Sequence, residues 1–341
     1  MTARPIAVYG ATGHTGRLVT AELAARGREI VLAGRNGEAL HALASELNVS
    51  AQVRVAGLDD PDALRMVTEN AAVVINCAGP YSRSGEPVAS AALAARCHYL
   101  DHAAEPLHVK HLFDTFGARA RAANTIIIPG MSFYGALADL LAALVANGLP
   151  QVDTLTVAYA VNGWRMTTAS KNTALQLNGA DRVLYTNGSH RVAPGRNAPG
   201  SFDFPAPIGT RAVLVDYPAG EVVTIPRHVP TRSVQVFMTA DTFTEEAVFT
   251  SEKLDPATRA QSAYTVVVQA TSAKSTRTGY LRGHDIYRTG AVSSVEAAIR
   301  LADNHATLEG GVLSASETLP PEHFLNALQH RGLLVMTLPT G

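Results

Sequence analysis

A short β-branched run at residues 6–9 ends in Gly10-Ala11-Thr12-Gly13-His14-Thr15-Gly16 and passes at once into an Ala/Leu-rich helical stretch. Glycines in the spacing GxxGxxG, with a strand before and a helix after, leave few folds open. Gly10 permits a tight turn, Gly13 lets a pyrophosphate approach the backbone, and Gly16 lets the helix pack closely on the sheet. The amide end of the helix then faces the phosphates. Three glycines alone are a weak signal, and the complete βαβ setting is what makes this one strong. Thr12, His14 and Thr15 lie inside the loop and join the three glycines as cofactor-binding candidates.

The rest of the first 130 residues keeps the same rhythm. Strands are expected at 6–9, 30–33, 53–56, 73–76, 98–100 and 125–128, with helices at 15–26, 37–47, 61–69, 86–96 and 107–122 between them. Alternation of this kind predicts a doubly wound parallel sheet, an α/β Rossmann domain. After a helix at 136–146 the character changes, with strands expected at 155–161, 213–215, 222–225, 233–238 and 265–271. Few helical periods intervene, so an inserted α+β domain built on an antiparallel sheet is expected. The Pro/Gly-rich tract 187–209 reads as a long loop, and helices return at 292–302 and 321–331. The expected organisation is a Rossmann domain over 1–131, an inserted domain for substrate and self-association over 132–283, and returning C-terminal helices over 284–341.

The second strand shows which dinucleotide fits. An NAD site places a carboxylate there to hold the ribose hydroxyls. This chain has Gly34-Arg35-Asn36 instead, and Arg35 offers a planar cation to a 2′-phosphate. NADP(H) is therefore the expected cofactor. Asp59, after the third strand, is a candidate neighbour of the adenine. The fourth strand ends in Asn76-Cys77-Ala78-Gly79-Pro80, and ligands of open α/β sheets sit beyond such ends, so Asn76, Ala78, Gly79 and Pro80 are expected near the nicotinamide ribose. Cys77 on a buried strand reads as packing rather than as a nucleophile.

Composition removes other classes. A net charge of -1 argues against nucleic acid, which needs clustered cations. The most apolar stretch, 125–149, is broken by Pro129, Ser132, Asp139 and Asn147, so no membrane span is expected. Two cysteines support neither a disulfide framework nor a structural zinc site, and the spacing of His98 and His102 fits no common zinc pattern, so no metal is expected. Without a charged-then-apolar leader, the expected location is cytoplasmic.

These motifs, with Gly85-Glu86-Pro87-Val88, His98-Tyr99-Leu100-Asp101, Gly283-His284-Asp285-Ile286-Tyr287, Gly311-Val312-Leu313 and Pro320-Pro321-Glu322-His323-Phe324-Leu325, make the chain resemble the saccharopine dehydrogenase-like NADP oxidoreductases. That group includes trans-acting enoyl reductases of bacterial lipid synthesis. The resemblance covers 5–140 and 276–332 and implies NADPH, an inserted domain and a C-terminal return. The chain departs from the pattern at His102-Ala103-Ala104-Glu105, where Gly-Glu is usual, and at Pro129-Gly130-Met131-Ser132-Phe133-Tyr134, where Gly-x-Asp-x-x-Pro is usual. Both departures fall where substrate should meet cofactor, which points to a specialised substrate.

A nicotinamide reductase needs a hydride and a proton donor. Tyr81, Tyr287 and Tyr134 are the candidate catalytic donors, with Tyr81 first because it follows the cofactor-binding turn. None of the ten tyrosines has a lysine four positions later, which removes the acid–ammonium pair of short-chain carbonyl reductases. The expected activity is reduction of a C=C or C=N bond in a small or acyl-type substrate, with a homodimer formed through the inserted domain. The rivals are a non-catalytic NADP-sensing regulator and a carbonyl reductase.

Overall fold

The structure is a computed structural model of the 341-residue chain, and it describes residues 4–196, 198–243, 246–249, 254–303 and 309–339. The first part of the chain runs β1 (Ile6–Tyr9), α1 (His14–Ala25), β2 (Ile30–Gly34), α2 (Gly37–Glu46), β3 (Ala51–Val55), α3 (Pro61–Thr68), β4 (Val73–Asn76) and α4 (Tyr81–Ala94). It continues with β5 (His98–Asp101), α5 (Pro106–Ala122), β6 (Ile126–Ile128) and α6 (Ala136–Val145). Next come β7 (Val152–Asn162), α7 (Thr168–Leu177), β8 (Arg182–Thr186), β9 (Ser189–Ala193), β10 (Ala198–Phe204), β11 (Gly209–Val215), α8 (Glu221–Thr224) and β12 (Thr231–Thr239). The end holds α9 (Pro256–Ala260), β13 (Ala263–Thr271), β14 (Thr276–His284), α10 (Ile286–Ala302), β15 (Gly311–Val312), α11 (Ala315–Thr318), α12 (Pro321–His330) and β16 (Leu334–Thr337).

Two compact units divide the chain. The first takes Met1–Ala103, His108–Phe133 and Tyr287–Leu313, and the second takes Ala104–Leu107, Tyr134–Ile286 and Ser314–Gly341. Of the segment expected to return to the first domain, only 287–313 does so, while 314–341 packs with the second unit through β16 on β14 and α12 on α6.

The first unit holds a seven-stranded sheet in the order β15-β6-β5-β4-β1-β2-β3, parallel at every pair. Its central strands are apolar on both faces, as a sheet covered twice by helices requires: Ile6 to Tyr9 and Val73 to Asn76 are all buried. Tyr9, Val31, Val74, Phe116, Ile127 and Val312 share one core, so the late strand β15 completes the sheet from the far end of the chain. Strand order reverses between β1 and β4, and ligands of such sheets bind beyond the strand ends at that point.

The second unit holds a nine-stranded sheet, β10-β11-β12-β7-β13-β14-β16 with β8 and β9 alongside β12. It is mixed rather than antiparallel, because β12 runs parallel to β7 over seven registered pairs. Three further expectations need correction. Residues 222–225, β-branched and read as a strand, open as the helix α8, where the buried Glu221 carboxylate accepts from the Gly135 amide and Tyr159 hydroxyl. Burial overrides local strand preference there. The tract 187–209 is not a loop: β10 pairs with β11 over seven residues, turning Phe202 and Phe204 into the core. Its Pro199 is tolerated because β10 is the last strand on its side of the sheet. The helix expected from residue 86 starts five residues earlier, at Tyr81, and runs through Pro87.

Candidate cofactor-binding site

The glycine loop has the geometry its spacing predicts. Gly10 adopts φ +77°, and a Cβ there would lie 2.9 Å from Ala78 Cβ, so the loop after β1 touches the turn after β4. A Cβ on Gly16 would lie 2.3 Å from the Gly10 carbonyl oxygen, which is backbone against backbone. Gly13 is exposed and caps α1 with no side-chain hydrogen bond, and the first turn of α1 carries no acid. Amides of a helix's first turn have no intrahelical acceptor, so they face the open space beside Gly13. Arg17 holds the loop from behind, its Nε donating to the Thr12 carbonyl at 3.3 Å and its Nη1 pairing with Glu46.

At the end of β2, Gly34 is buried and accepts from the Ala56 amide, whereas Arg35 is exposed. Among the described residues no hydrogen bond or ion pair holds its guanidinium. Burial pushes the Tyr9 phenol up, with Arg35 opposing and Asp59 adding to that shift, so Arg35 and Asp59 both act on one point above β1. Asn36 caps α2, accepting from the Ala39 amide at 3.0 Å. That occupies its oxygen and leaves its amide group for a ligand. Asp60, not Asp59, caps α3.

The ends of β4 and β5 carry a buried polar network that motif reading did not single out. Asn76 is fully buried: its amide donates to Ser84 Oγ and Tyr99 Oη at 3.2 Å each, and its oxygen accepts from the Ala78 amide. Its side chain is thus consumed in ordering the turn Cys77–Pro80, so any service to a cofactor comes through Ala78, Gly79 and Pro80. Tyr99 Oη donates to Asp101 Oδ2 at 2.9 Å, and His108 Nε2 meets the same oxygen at 2.9 Å. The amides of Gly130 and Ala103 donate to Asp101 Oδ1 at 2.7 and 3.0 Å. Burial alone would raise the Asp101 carboxyl, but His108 and these two amides outweigh it and hold the pKa below the usual range. His108 packs so tightly on α4 that a Cβ on Gly85 would lie 2.0 Å from its ring, and the Tyr81 ring stacks on it at 6.1 Å. A buried Asp–His pair seven residues apart across a strand end was the available sequence signal. Cys77 has its thiol pushed well up by burial, which fits packing rather than nucleophilic work.

The returning helix α10 reaches this region. The Tyr287 ring meets His14 edge-on at 4.8 Å, so a residue from the far end of the chain packs on the glycine loop. His102 joins Ser132 Oγ and Ser294 Oγ, each at 3.0 Å, and Gly290 gives α10 room beside Ser132. Burial lowers the His102 pKa from 6.5 to about 4 despite the pull of Asp101. An unfolded chain therefore takes up this proton below pH 6.5, while the folded chain refuses it until about pH 4. Stability should fall by about 3 kcal/mol across that window. Urea midpoints at pH 7 and 4.5 should lie closer together in His102→Gln than in wild type; parallel pH profiles would remove His102 as the cause.

Tyr134 belongs to the second unit, where its ring lies 5.2 Å from Tyr159 and 6.5 Å from Trp164. His98, weighed as a ligand, has Nδ1 accepting the Ile126 amide at 3.0 Å. Among the described residues no group of three or more His, Cys, Asp or Glu could hold a metal, and no described helix is long and apolar enough to cross a membrane.

Sheet order, glycine loop and the exposed Arg35 together define a dinucleotide-binding unit of the NADP type. The family model for the saccharopine dehydrogenase NADP binding domain matches residues 6–128. A Mycobacterium tuberculosis protein provisionally named a trans-acting enoyl reductase is 34% identical over 149 residues, 41% of this chain and 36% of that protein. An Arabidopsis thaliana protein provisionally named a mitochondrial saccharopine dehydrogenase-like oxidoreductase is 29% identical over 158 residues, 41% of this chain and 35% of its own length. The chain thus matches about a third of the length of these relatives. Apo saccharopine dehydrogenase (L-Glu forming) from Saccharomyces cerevisiae shares the fold over 99% of this chain and all of its own, with a TM-score of 0.67 at 11% identity.

Proposed function

We propose that the protein is an NADPH-dependent oxidoreductase that reduces a C=C or C=N bond of a small or acyl-type substrate. The observation that carries this reading is Arg35, an exposed guanidinium with no hydrogen bond or ion pair among the described residues, at the strand end where an NAD site would hold a carboxylate. NADPH, when bound, supplies the hydride. The glycine loop and first turn of α1 receive the pyrophosphate, Arg35 the 2′-phosphate, and the turn Ala78–Pro80 the nicotinamide ribose. Tyr81 is assigned as proton donor, since it opens α4 directly after that turn and stacks on the Asp101-held His108. An ordinary phenol has a pKa near 10 and so keeps its proton at neutral pH. Tyr287, packed on His14, is assigned to holding the loop. The names of the relatives support both bond types, enoyl reduction for C=C and saccharopine chemistry for C=N. The second unit is assigned the substrate and self-association.

Calorimetric titration tests the reading. NADP(H) should bind more tightly than NAD(H), and Arg35→Ala should cost about 1.5–3 kcal/mol of NADPH binding, the range for hydrogen bonds to charged groups. NADH binding should barely change. Equal affinities in the wild type would sink the assignment, and a loss shared by both cofactors would give Arg35 a folding role. Crystals grown with NADP+ locate the donor: a Tyr81 hydroxyl beyond about 8 Å from the nicotinamide C4 is too far for a site that tightens on binding substrate.

A further inference from the structure

The second unit carries a cavity of about 400 Å³ lined from α7, β8, β11 and the segments that follow β11 and β12. Small-molecule sites have this size, with mostly apolar walls and a few fixed polar groups. The walls here are Leu175, Leu214, Pro218, Phe243 and Phe249. Leu175 and Phe249 are 72% and 43% exposed, and α7 buries none of its residues, so one wall offers apolar surface that the unit itself leaves uncovered. Lys171, Ala174, Leu175 and Asn178 on α7 follow the i, i+3, i+4, i+7 spacing, which places one helix face on the cavity.

The charged groups of the lining are cations. Arg182 is only 4% exposed and donates Nη1 to the Leu177 carbonyl at 2.8 Å, at the end of α7. Lys171 has no ion pair among the described residues. Among the described residues no carboxylate lines the cavity, and Asp216 acts on Arg182 from beside Tyr217. Burial pushes the Tyr217 phenol up to about 12, so it stays a neutral donor.

We propose that this cavity binds an amphipathic carboxylate, its aliphatic chain against Leu175, Leu214 and Phe243 and its head group toward Arg182 and Lys171. The site belongs wholly to the second unit and stands independently of the reductase reading. Trp164, the chain's single tryptophan, lies 6.4 Å from the Phe243 ring and reports on occupancy. Decanoate should change its fluorescence saturably, and decanol, with the same chain and no charge, should bind roughly ten- to a hundredfold more weakly. Leu175→Glu, at an exposed position, should abolish decanoate binding while NADP(H) binding persists. Arg182→Gln should bring decanoate down to the level of decanol; if that variant fails to fold by circular dichroism, Lys171→Gln gives the same readout with a smaller drop. Absence of saturable decanoate binding, equal binding of decanol, or binding indifferent to Leu175→Glu overturns the proposal. So does a wild-type dimer that ignores decanoate and turns monomeric on Leu175→Glu, which would make a second copy of the chain the occupant.

Discussion

Asp101→Ala should destabilise the protein by about 3–5 kcal/mol, the cost of removing one member of a buried, hydrogen-bonded charge pair. Four donors converge on this carboxylate, from Tyr99, His108, Gly130 and Ala103. With alanine they keep their burial and lose their acceptor, and each buried orphan adds to the penalty. Asp101→Asn should cost less, because its oxygen still accepts from both amides while its NH2 confronts Tyr99 and His108. Because the carboxyl is held below its ordinary range, its contribution is present at neutral pH and is lost as pH falls through the depressed value. Urea denaturation of the two variants, followed at pH 7, measures the difference. A loss in Asp101→Ala below about 1 kcal/mol, the worth of a single ordinary hydrogen bond, would show that the network is not what fixes the strand ends.

The first unit was legible in the sequence because most of its strands are buried on both faces and therefore read as short apolar runs between helical periods. Six of its seven strands were found that way. The seventh, Gly311–Val312, is two residues long and carries no pattern of its own, so only its pairing with β6 reveals it. The second unit was less legible for the opposite reason. Its strand β14 pairs along its whole length with β13, yet it reads Thr276 to His284 with polar residues at most positions, because much of one face is wet. The parallel pairing of β12 with β7 depends on a connection of some length and leaves no local mark. In α8 the Val222-Val223-Thr224 run favours a strand locally, and only the buried contacts of Glu221 decide otherwise.

The site divides along the same line. Glycine spacing speaks through backbone geometry, and the close approaches at Gly10 and Gly16 follow from it directly. Arg35 drew the sequence reading because a missing carboxylate at a defined strand end is itself a signal. The Asn76–Tyr99–Asp101–His108 network was not, since its members lie on three elements and no spacing announces a shared oxygen. Asn76 was expected at the cofactor for its position, and its side chain orders the turn after β4. Tyr134 was placed on one rim with Tyr81 by chain position after β6, and it is the first residue after the first unit's stretch ending at Phe133.

Gly13→Val should abolish NADPH binding while the fold survives. Gly13 has φ −70° and ψ 167°, an extended conformation that a β-branched residue adopts readily. Its added Cβ would lie 3.3 Å from the Gly10 carbonyl oxygen, close enough to need a small adjustment and far enough to allow one. The two methyl groups then occupy the exposed space before the first turn of α1, where the proposed site has the pyrophosphate meet backbone amides. An affinity loss of at least a hundredfold, about 2.7 kcal/mol, is expected by calorimetry. Gly16→Ala supplies the contrast, for its Cβ would meet the Gly10 oxygen at 2.3 Å and the following backbone at 2.7 Å. Nothing there is a flexible side chain that could swing aside, so this smaller substitution should damage the fold as well as binding. Circular dichroism and thermal melts separate the two: Gly13→Val should melt close to wild type and Gly16→Ala well below it. If Gly13→Val folds and still binds NADPH, the phosphates lie somewhere other than the end of α1. Unfolding of Gly13→Val would instead show that the loop has no room even where its backbone conformation permits a side chain.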